Sequence, residues 1–169
     1  NKKYLKNKKK GGYYYEQHLL GYNYRMSDIH AALGISQLKK IRLFIKERNK
    51  IANLYFKILR DLPINLPKKI SKNTSSYHLF IIRLKSYNEK IYKKIFSFIR
   101  SKKIFINLHY LPINQQPFYK KYNRKLGNLS NSIIYSNSAF SIPIYNGLKI
   151  SEVYFVKKTL QKAIQKFSK

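Results

Sequence analysis

Residues 15–41 read YEQHLLGYNYRMSDIHAALGISQLKKI, a polar and aromatic loop that leads into a long amphipathic segment. Ser27 is placed to cap a helix N-terminus, and Asp28 puts an acidic side chain in the first turn. From there apolar residues recur at the 3.6-residue period of a helix, with Lys and Arg between them. The pattern predicts a helix over residues 27–62, roughly 50 Å long at about 1.5 Å per residue. A helix of that length either breaks near Gly34 or bridges two domains.

The rest of the chain alternates predicted strands and helices. Residues 77–84, YHLFIIRL, are a β-prone apolar run of strand length, whose centre we expect to be buried on both faces. The other predicted elements are a helix over 89–102, a strand over 104–110, a short helical turn near 118–122, a helix over 130–138, a strand over 140–142 and a helix over 151–167 capped by Ser151. This order favours a small α/β domain whose helices pack on one sheet.

Composition limits the classes of protein that the chain can represent. Its 169 residues, 44% of them hydrophobic, are enough for one domain with a buried core. The absence of cysteine excludes a disulfide framework and thiolate chemistry. No apolar run approaches the roughly 18 to 20 residues that cross a bilayer, so we expect a cytoplasmic protein with no membrane contact. The sequence begins without methionine, which an internal starting point would explain.

The charge is extreme, because 36 Lys and Arg stand against 6 Asp and Glu to give a formal net charge of +30. A surface of this sign releases counterions from phosphate and thereby attracts nucleic acid. However, the basic residues are spread through helices and loops, and Asn, Ile and Tyr are over-used together with Lys, as compositional drift would produce. We therefore do not expect nucleic acid to be the main partner.

Catalytic residues are scarce in this sequence. Its carboxylates form no pair at a spacing suited to acid–base work, and its four histidines form no pair at metal-ligand spacing. No glycine-rich phosphate loop follows a predicted strand. His109 is the exception, because it ends a predicted strand where the chain turns into a proline-rich loop, a common position for binding groups. The residues alone predict no metal site and no complete catalytic set.

Four segments, in order along the chain, resemble the DegT-type fold-type I aminotransferases, which act on nucleotide-linked keto-sugars. The segments are residues 15–41 with their Gly-aromatic-Asn-aromatic-Arg loop, SSYHLF at 75–80, INLHYLP at 106–112 and SIPIY at 141–145. The resemblance covers nearly the whole chain. It implies an α/β fold in which a C-terminal small domain, a small sheet with packed helices, follows a long linker helix. The implied parts are the tail of a missing large domain at 1–26, the linker helix at 27–62 and the small domain at 63–169.

The resemblance also implies an activity. Pyridoxal 5′-phosphate (PLP), bound covalently by a lysine, takes an amino group from L-glutamate and donates it to C4 of a UDP-linked 4-keto-6-deoxy sugar. Such sugars belong to pseudaminic acid or related surface-glycan biosynthesis, and the enzymes are homodimers. None of the lysines here lies in the Ser-x-His-x-x-Lys setting of the family. The cofactor lysine is therefore expected outside this chain, and the fragment is expected to be inactive by itself.

The resemblance assigns two sets of binding residues. Asn23 matches a loop asparagine that reaches across the dimer to the PLP phosphate, and Arg25 of the same loop either pairs with phosphate or holds the loop. The segment that lines the sugar-nucleotide pocket is matched by Asn107, Leu108, His109 and Tyr110. Each assignment has a structural alternative, which is capping of the following helix for the first set and strand-end packing for the second. Two other functions also stay open: a basic, non-enzymatic protein that binds nucleic acid or an anionic surface, and an inactive remnant.

Overall fold

The computed structural model describes residues 21–22, 24–69, 73–85, 88–120 and 129–168. The chain divides into two compact units, Asn1–Lys39 and Lys40–Lys169. In the first unit, helix α1 spans Asp28–Leu38, and the Ser27 hydroxyl accepts a hydrogen bond from the His30 backbone N–H, as predicted for the helix cap. The three-part domain division inferred from the sequence stays a prediction.

The second unit begins with helix α2, Ile41–Ile58, whose buried residues Ile51, Ala52, Tyr55 and Ile58 follow the predicted helical spacing. Of the two alternatives for the helix predicted over 27–62, the structure has the broken one, since a turn at Lys39 and Lys40 separates α1 from α2. The break lies beyond Gly34, which is inside α1. Lysine favours helix nearly as much as alanine does, so nothing in the local sequence marks this turn.

Three short strands form an antiparallel sheet in the order β1-β2-β3. They are β1 (Ile64–Asn65), β2 (Phe80–Leu84) and β3 (Ala139–Ile142). β2 is central, and it begins at Phe80 and not at the predicted residue 77. The two-residue β1 has no counterpart among the predicted elements, because a run this short carries no periodic signal.

The two faces of the sheet differ. Alternate residues of β2 are buried, while Arg83 is exposed. Side chains alternate between the two faces along a strand, and residues directly opposite each other on paired strands share a face. Since Arg83 pairs with Ala139 and Ile81 pairs with Ser141, these four residues lie on one face, called here the open face. On this face Arg83 is exposed and Ile81 is half-buried, while Ala139 and Ser141 are buried, so the expected burial of the centre of the strand on both faces is only partly met.

The other face of the sheet carries the hydrophobic core. Helix α3 (Glu89–Ser101), helix α6 (Ile150–Phe167) and α2 supply its buried side chains. The Tyr55 ring of α2 lies 5.2 Å from that of Phe80, and the Tyr92 ring of α3 lies 6.0 Å from that of Phe140, both measured between centroids. The chain is thus a mixed α/β protein in which these helices and a small sheet share one core, consistent with the predicted fold class.

Irregular and short helical segments connect α3 to β3. They are a 3-10 turn at Ile113–Gln115, helix α4 at Pro117–Lys120 and helix α5 at Ser130–Ser136. The strand predicted over 104–110 is reduced to one bridge between Asn107 and Ser141. The Leu108 N–H is used locally, because it donates to the Asn107 side-chain oxygen at 2.9 Å. Such side-chain to backbone bonds compete with strand pairing.

Helix α6 begins one residue earlier than predicted. Its N-cap is Lys149, and the Glu152 carboxylate accepts a hydrogen bond from the Lys149 backbone N–H at 2.8 Å. Ser151, the predicted cap, lies inside the first turn. In the described part of the chain, none of the helices combines the length and apolar character needed to span a membrane.

Helix α3 provides a first test of the fold. The Asn88 side-chain oxygen accepts a hydrogen bond from the Ile91 N–H at 3.1 Å and so caps the helix. We expect Asn88→Ala to lower the free energy of unfolding by about 1 kcal/mol, because one first-turn N–H loses its partner. Urea denaturation measures the change. Asn88→Asp keeps an acceptor at the cap and is expected to remain close to the wild type, so an equal loss in both variants would contradict the capping role.

Candidate functional site

A cavity of about 710 Å³ has Arg83, on the open face of the sheet, among its lining residues. The segment after Asn107 supplies His109 and Tyr110 to its lining, and α5 contributes Asn131 and Tyr135. Its volume lies within the roughly 300–1,000 Å³ range of small-molecule sites. The described part of the lining therefore combines one cation, several hydrogen-bonding groups and aromatic rings around a space large enough for a small-molecule ligand.

His109 is held by a short hydrogen-bonded chain. Its Nε2 lies 2.9 Å from the Ser141 hydroxyl oxygen, and that hydroxyl donates to the Asn107 backbone carbonyl at 3.3 Å. The imidazole is thereby tied to β3 through Ser141. Its other ring nitrogen, Nδ1, is buried without a hydrogen-bond partner among the described residues.

Arg83 is the one Lys or Arg among the described residues that line the cavity. None of the described residues that line the cavity is acidic, so no lining carboxylate neutralises the guanidinium. An arginine side chain presents a planar fork of donors that matches the oxygens of a phosphate or carboxylate. The site is therefore suited to an anionic ligand that also offers groups for polar and aromatic contacts.

The structure places some of the predicted site residues at the cavity and others away from it. Asn23 lies outside the described residues, and Arg25 is exposed in the first unit. His109 and Tyr110 line the cavity, whereas Asn107 and Leu108 adjoin it in the chain without lining it. The roles proposed for all six residues in binding cofactor or substrate stay predictions.

Some residues at or beside the cavity are not predicted from the sequence. Arg83 has a signal, because a single charge interrupts the apolar run YHLFIIRL, but only strand pairing shows which face it occupies. Ser141, which contacts His109 without lining the cavity, belongs to the SIPIY segment, where the sequence indicates no role of its own. The α5 residues Asn131 and Tyr135 had no signal, since they reach the cavity only through the fold.

This cavity lacks the groups that hold PLP covalently. Its described lining contains no lysine for the carbonyl of the cofactor and no carboxylate to pair the pyridine nitrogen. In the portion of the chain that the structure describes, no group of three His, Cys, Asp or Glu side chains is placed to hold a metal ion.

The sequence and fold match known proteins. Residues 3–161 match the pattern of the DegT/DnrJ/EryC1/StrS aminotransferase family. A UDP-4-amino-4,6-dideoxy-N-acetyl-beta-L-altrosamine transaminase of Campylobacter jejuni is 35% identical over 153 residues, which are 89% of this chain and 40% of that protein. The chain thus spans about 40% of the length of this curated relative.

Solved structures agree with the sequence match. Helicobacter pylori PseC, an aminotransferase involved in the biosynthesis of pseudoaminic acid, aligns with a TM-score of 0.78 and 27% identity over 94% of this chain and 43% of its own. The PLP-form of Spr1654, a putative sugar aminotransferase of Streptococcus pneumoniae, aligns with a TM-score of 0.83 and 23% identity over 94% of this chain and 41% of its own. The chain therefore belongs to the DegT/DnrJ/EryC1/StrS aminotransferase family.

Proposed function

We propose that this chain is the C-terminal, substrate-binding part of an aminotransferase that moves an amino group from L-glutamate to C4 of a UDP-linked 4-keto-6-deoxy sugar. The glutamate nitrogen ends at C4 of the sugar, whose carbonyl oxygen leaves as water, and glutamate becomes 2-oxoglutarate, whose new carbonyl oxygen comes from water. The product would serve pseudaminic acid or related surface-glycan biosynthesis. The observation that carries the proposal is the cavity in which His109 and Tyr110, from the segment that resembles the family's sugar-nucleotide wall, meet the unneutralised Arg83.

The residues of this chain would bind and orient the sugar nucleotide. The buried Nδ1 of His109 has no partner among the described residues, so a hydroxyl of the sugar, which can donate or accept, would satisfy it. Ser141 holds the orientation of the imidazole through its hydrogen bond with Nε2. His109 is thereby a binding residue whose orientation is set before the substrate arrives.

The cofactor would lie at a second wall of the active site. PLP supplies the electron sink for amino transfer when it is bound. In this proposal its lysine belongs to large-domain polypeptide beyond this chain, while Asn23 and Arg25 reach the cofactor phosphate of the other subunit in a homodimer. An asparagine amide and a guanidinium both donate hydrogen bonds to phosphate oxygens, which suits these roles.

A fusion of this chain to the large domain of the Campylobacter jejuni relative tests the proposal. With PLP, L-glutamate and a UDP-4-keto-6-deoxy sugar, we expect an amino sugar that mass spectrometry detects. His109→Ala is expected to raise the KM for the sugar nucleotide about 10-fold, because one buried hydrogen bond is lost. His78→Ala, at an exposed position, is the matched control and should leave the KM unchanged.

The other two functions predict different results. A basic binding protein would bind duplex DNA with a steep dependence on salt concentration and would give no amino sugar in the fusion. An inactive remnant would give neither result. If the fusion is active and His109→Ala leaves the KM for the sugar nucleotide unchanged, the proposed amino transfer stands. The substrate-binding role assigned to this cavity is then wrong.

A further inference from the structure

We infer that an exposed apolar patch on the second unit docks the protein on an anionic phospholipid surface. The patch, called here the apolar patch, consists of Phe105, Tyr145, Ile150 and Phe155. None of these residues lines the candidate cavity, so the docking surface is independent of the proposed amino transfer. The expectation of no membrane contact rests on the lack of a spanning run, and a protein that lies on the surface of a membrane needs none.

Two neighbouring grooves bring the members of the apolar patch together. Phe105, Tyr145 and Phe155 line the first groove, which has a volume of about 420 Å³. Ile150 lines the second groove, of about 480 Å³, and Leu148 lines both. The turn after α3, the loop after β3 and the first turns of α6 therefore contribute to one apolar surface.

The side chains of the apolar patch are exposed although they are large. Phe105 is 74% exposed and Ile150 is 67% exposed, while the other two members are half exposed. The Arg100 guanidinium carbon lies 5.0 Å from the centroid of the Phe105 ring, which is within the range of a cation–π contact and supports the ring in its outward position. Exposed apolar side chains that lie together mark a surface that binds a partner.

The charge around the apolar patch is positive. Among the described residues, lysines line the grooves or lie within three residues of a patch member in the sequence: Lys50, Lys102, Lys103, Lys149, Lys157 and Lys158. The acids of the described groove linings are Glu47 and Glu152, and the Glu152 carboxylate already accepts the Lys149 backbone N–H at 2.8 Å. This excess of cations matches an anionic partner. A second copy of the chain does not fit, because each copy carries a formal net charge of +30.

The side chains of the patch favour lipid over nucleic acid. Nucleic-acid bases stack on flat rings, whereas Ile150 and Leu148 are aliphatic and offer no stacking surface. The cations of the described groove linings are lysines and not arginines, which would pair with phosphate through two parallel hydrogen bonds. Lysine stems lie along apolar surface while their ammonium groups stay among the headgroups. Apolar side chains flanked by lysine are typical of surfaces that bind at a membrane interface.

A single introduced tryptophan tests the inference, because the chain contains no tryptophan of its own. Vesicles of equal parts phosphatidylcholine and phosphatidylglycerol are added to the full chain carrying Phe155→Trp. We expect the emission maximum to shift to shorter wavelength, since the indole ring leaves water for the interface. Ile113→Trp is the matched control, because Ile113 is 67% exposed outside the patch, and its emission maximum should not shift. Bound protein with an unshifted Phe155→Trp emission would overturn the inference.

Sedimentation with the same vesicles measures how much the rings contribute. Phe105→Ser combined with Phe155→Ser is expected to lower the partition coefficient about 10-fold or more, because two rings no longer enter the interface. Circular dichroism establishes that the variant is folded. Vesicles of phosphatidylcholine alone should bind the wild-type chain weakly, and equal binding to both kinds of vesicle would contradict an anionic partner.

A matched pair of lysine variants separates the patch from the overall charge. Lys102→Gln combined with Lys103→Gln should lower the partition coefficient about 10-fold, because two cations beside the patch are lost. Lys90→Gln combined with Lys94→Gln removes the same charge from exposed positions on α3 that line neither groove, and we expect a change below about 3-fold. Equal losses in the two double variants would show attraction to the overall charge and would overturn the inference.

Other occupants of the patch give different results. If the Phe105 and Phe155 double variant keeps its vesicle binding and loses affinity for single-stranded RNA, the patch binds nucleic acid and the inference is wrong. If analytical ultracentrifugation shows a wild-type dimer that the same double variant dissociates, the patch is an interface between copies of the chain, and the inference is wrong again.

Discussion

Replacing Phe80 with alanine is expected to lower the free energy of unfolding by about 3–5 kcal/mol, the range for a buried phenylalanine. Phe80 is fully buried at the start of β2. Its ring lies 5.2 Å from that of Tyr55 and 5.0 Å from that of Phe56, measured between centroids, so it joins the sheet to α2. Because Tyr55 is also fully buried, the space left by the missing ring cannot be refilled without moving a helix.

Urea denaturation followed by circular dichroism measures this loss. Phe105→Ala is the matched control, because the ring of Phe105 is 74% exposed and its removal should change stability by less than about 0.5 kcal/mol. Small domains are stable by only about 5–15 kcal/mol, so the Phe80 variant should be visibly destabilised at room temperature. Equal, small losses in the two variants would mean that β2 does not pack on α2 as described.

The parts of the fold that were predicted from the sequence are those with a local signal. α3 was predicted within one residue of its end, because Asn88 caps it and its apolar residues keep a helical period. α6 has the same period, and its start was predicted one residue too late. The turn at Lys39 and Lys40 was not predicted, since two lysines between periodic apolar residues are compatible with an unbroken helix.

At the candidate site, too, residues were predicted only where their own segment of the sequence carried the signal. His109 was a candidate from its position before a proline-rich loop and from the family resemblance, and it does line the cavity. Arg83 was not a candidate, because the face on which it lies depends on its pairing with Ala139, which is far away in the sequence. Ser141 of β3 lies 32 residues from His109 in the sequence, so neither segment alone predicts the hydrogen bond between the two side chains.

Tyr55→Phe is expected to lower the free energy of unfolding by about 1–2 kcal/mol at neutral pH. The Tyr55 hydroxyl donates to the Pro143 carbonyl at 2.9 Å and so ties α2 to the segment that follows β3. Removing the hydroxyl leaves this carbonyl without its donor while the ring still fills its place in the core. Tyr154→Phe is the control, because Tyr154 is 49% exposed and its loss of a hydroxyl should be nearly neutral. A loss no larger than that of the control would contradict a stabilising hydrogen bond.

The same substitution should change how stability depends on alkaline pH. Burial, with smaller contributions from Tyr145 and Glu152, raises the pKa of Tyr55 above its ordinary value, and burial raises the pKa of Tyr92 to about 12. An unfolded tyrosine has a pKa of about 10, so above that pH the unfolded chain loses phenol protons that the folded chain retains. The stability from these groups is fully present below about pH 10 and falls as the pH rises toward their folded-state pKa values.

Tyr55→Phe removes one of these two phenols and should therefore lose stability less steeply than the wild type between about pH 10 and 12. Urea midpoints measured at several pH values give the slope. Tyr154→Phe carries the same substitution at an exposed position and should follow the wild-type curve, which separates the buried phenol from the titration of the many lysines. Parallel curves for Tyr55→Phe and the wild type would show that the Tyr55 phenol ionises in the folded protein as readily as in the unfolded chain.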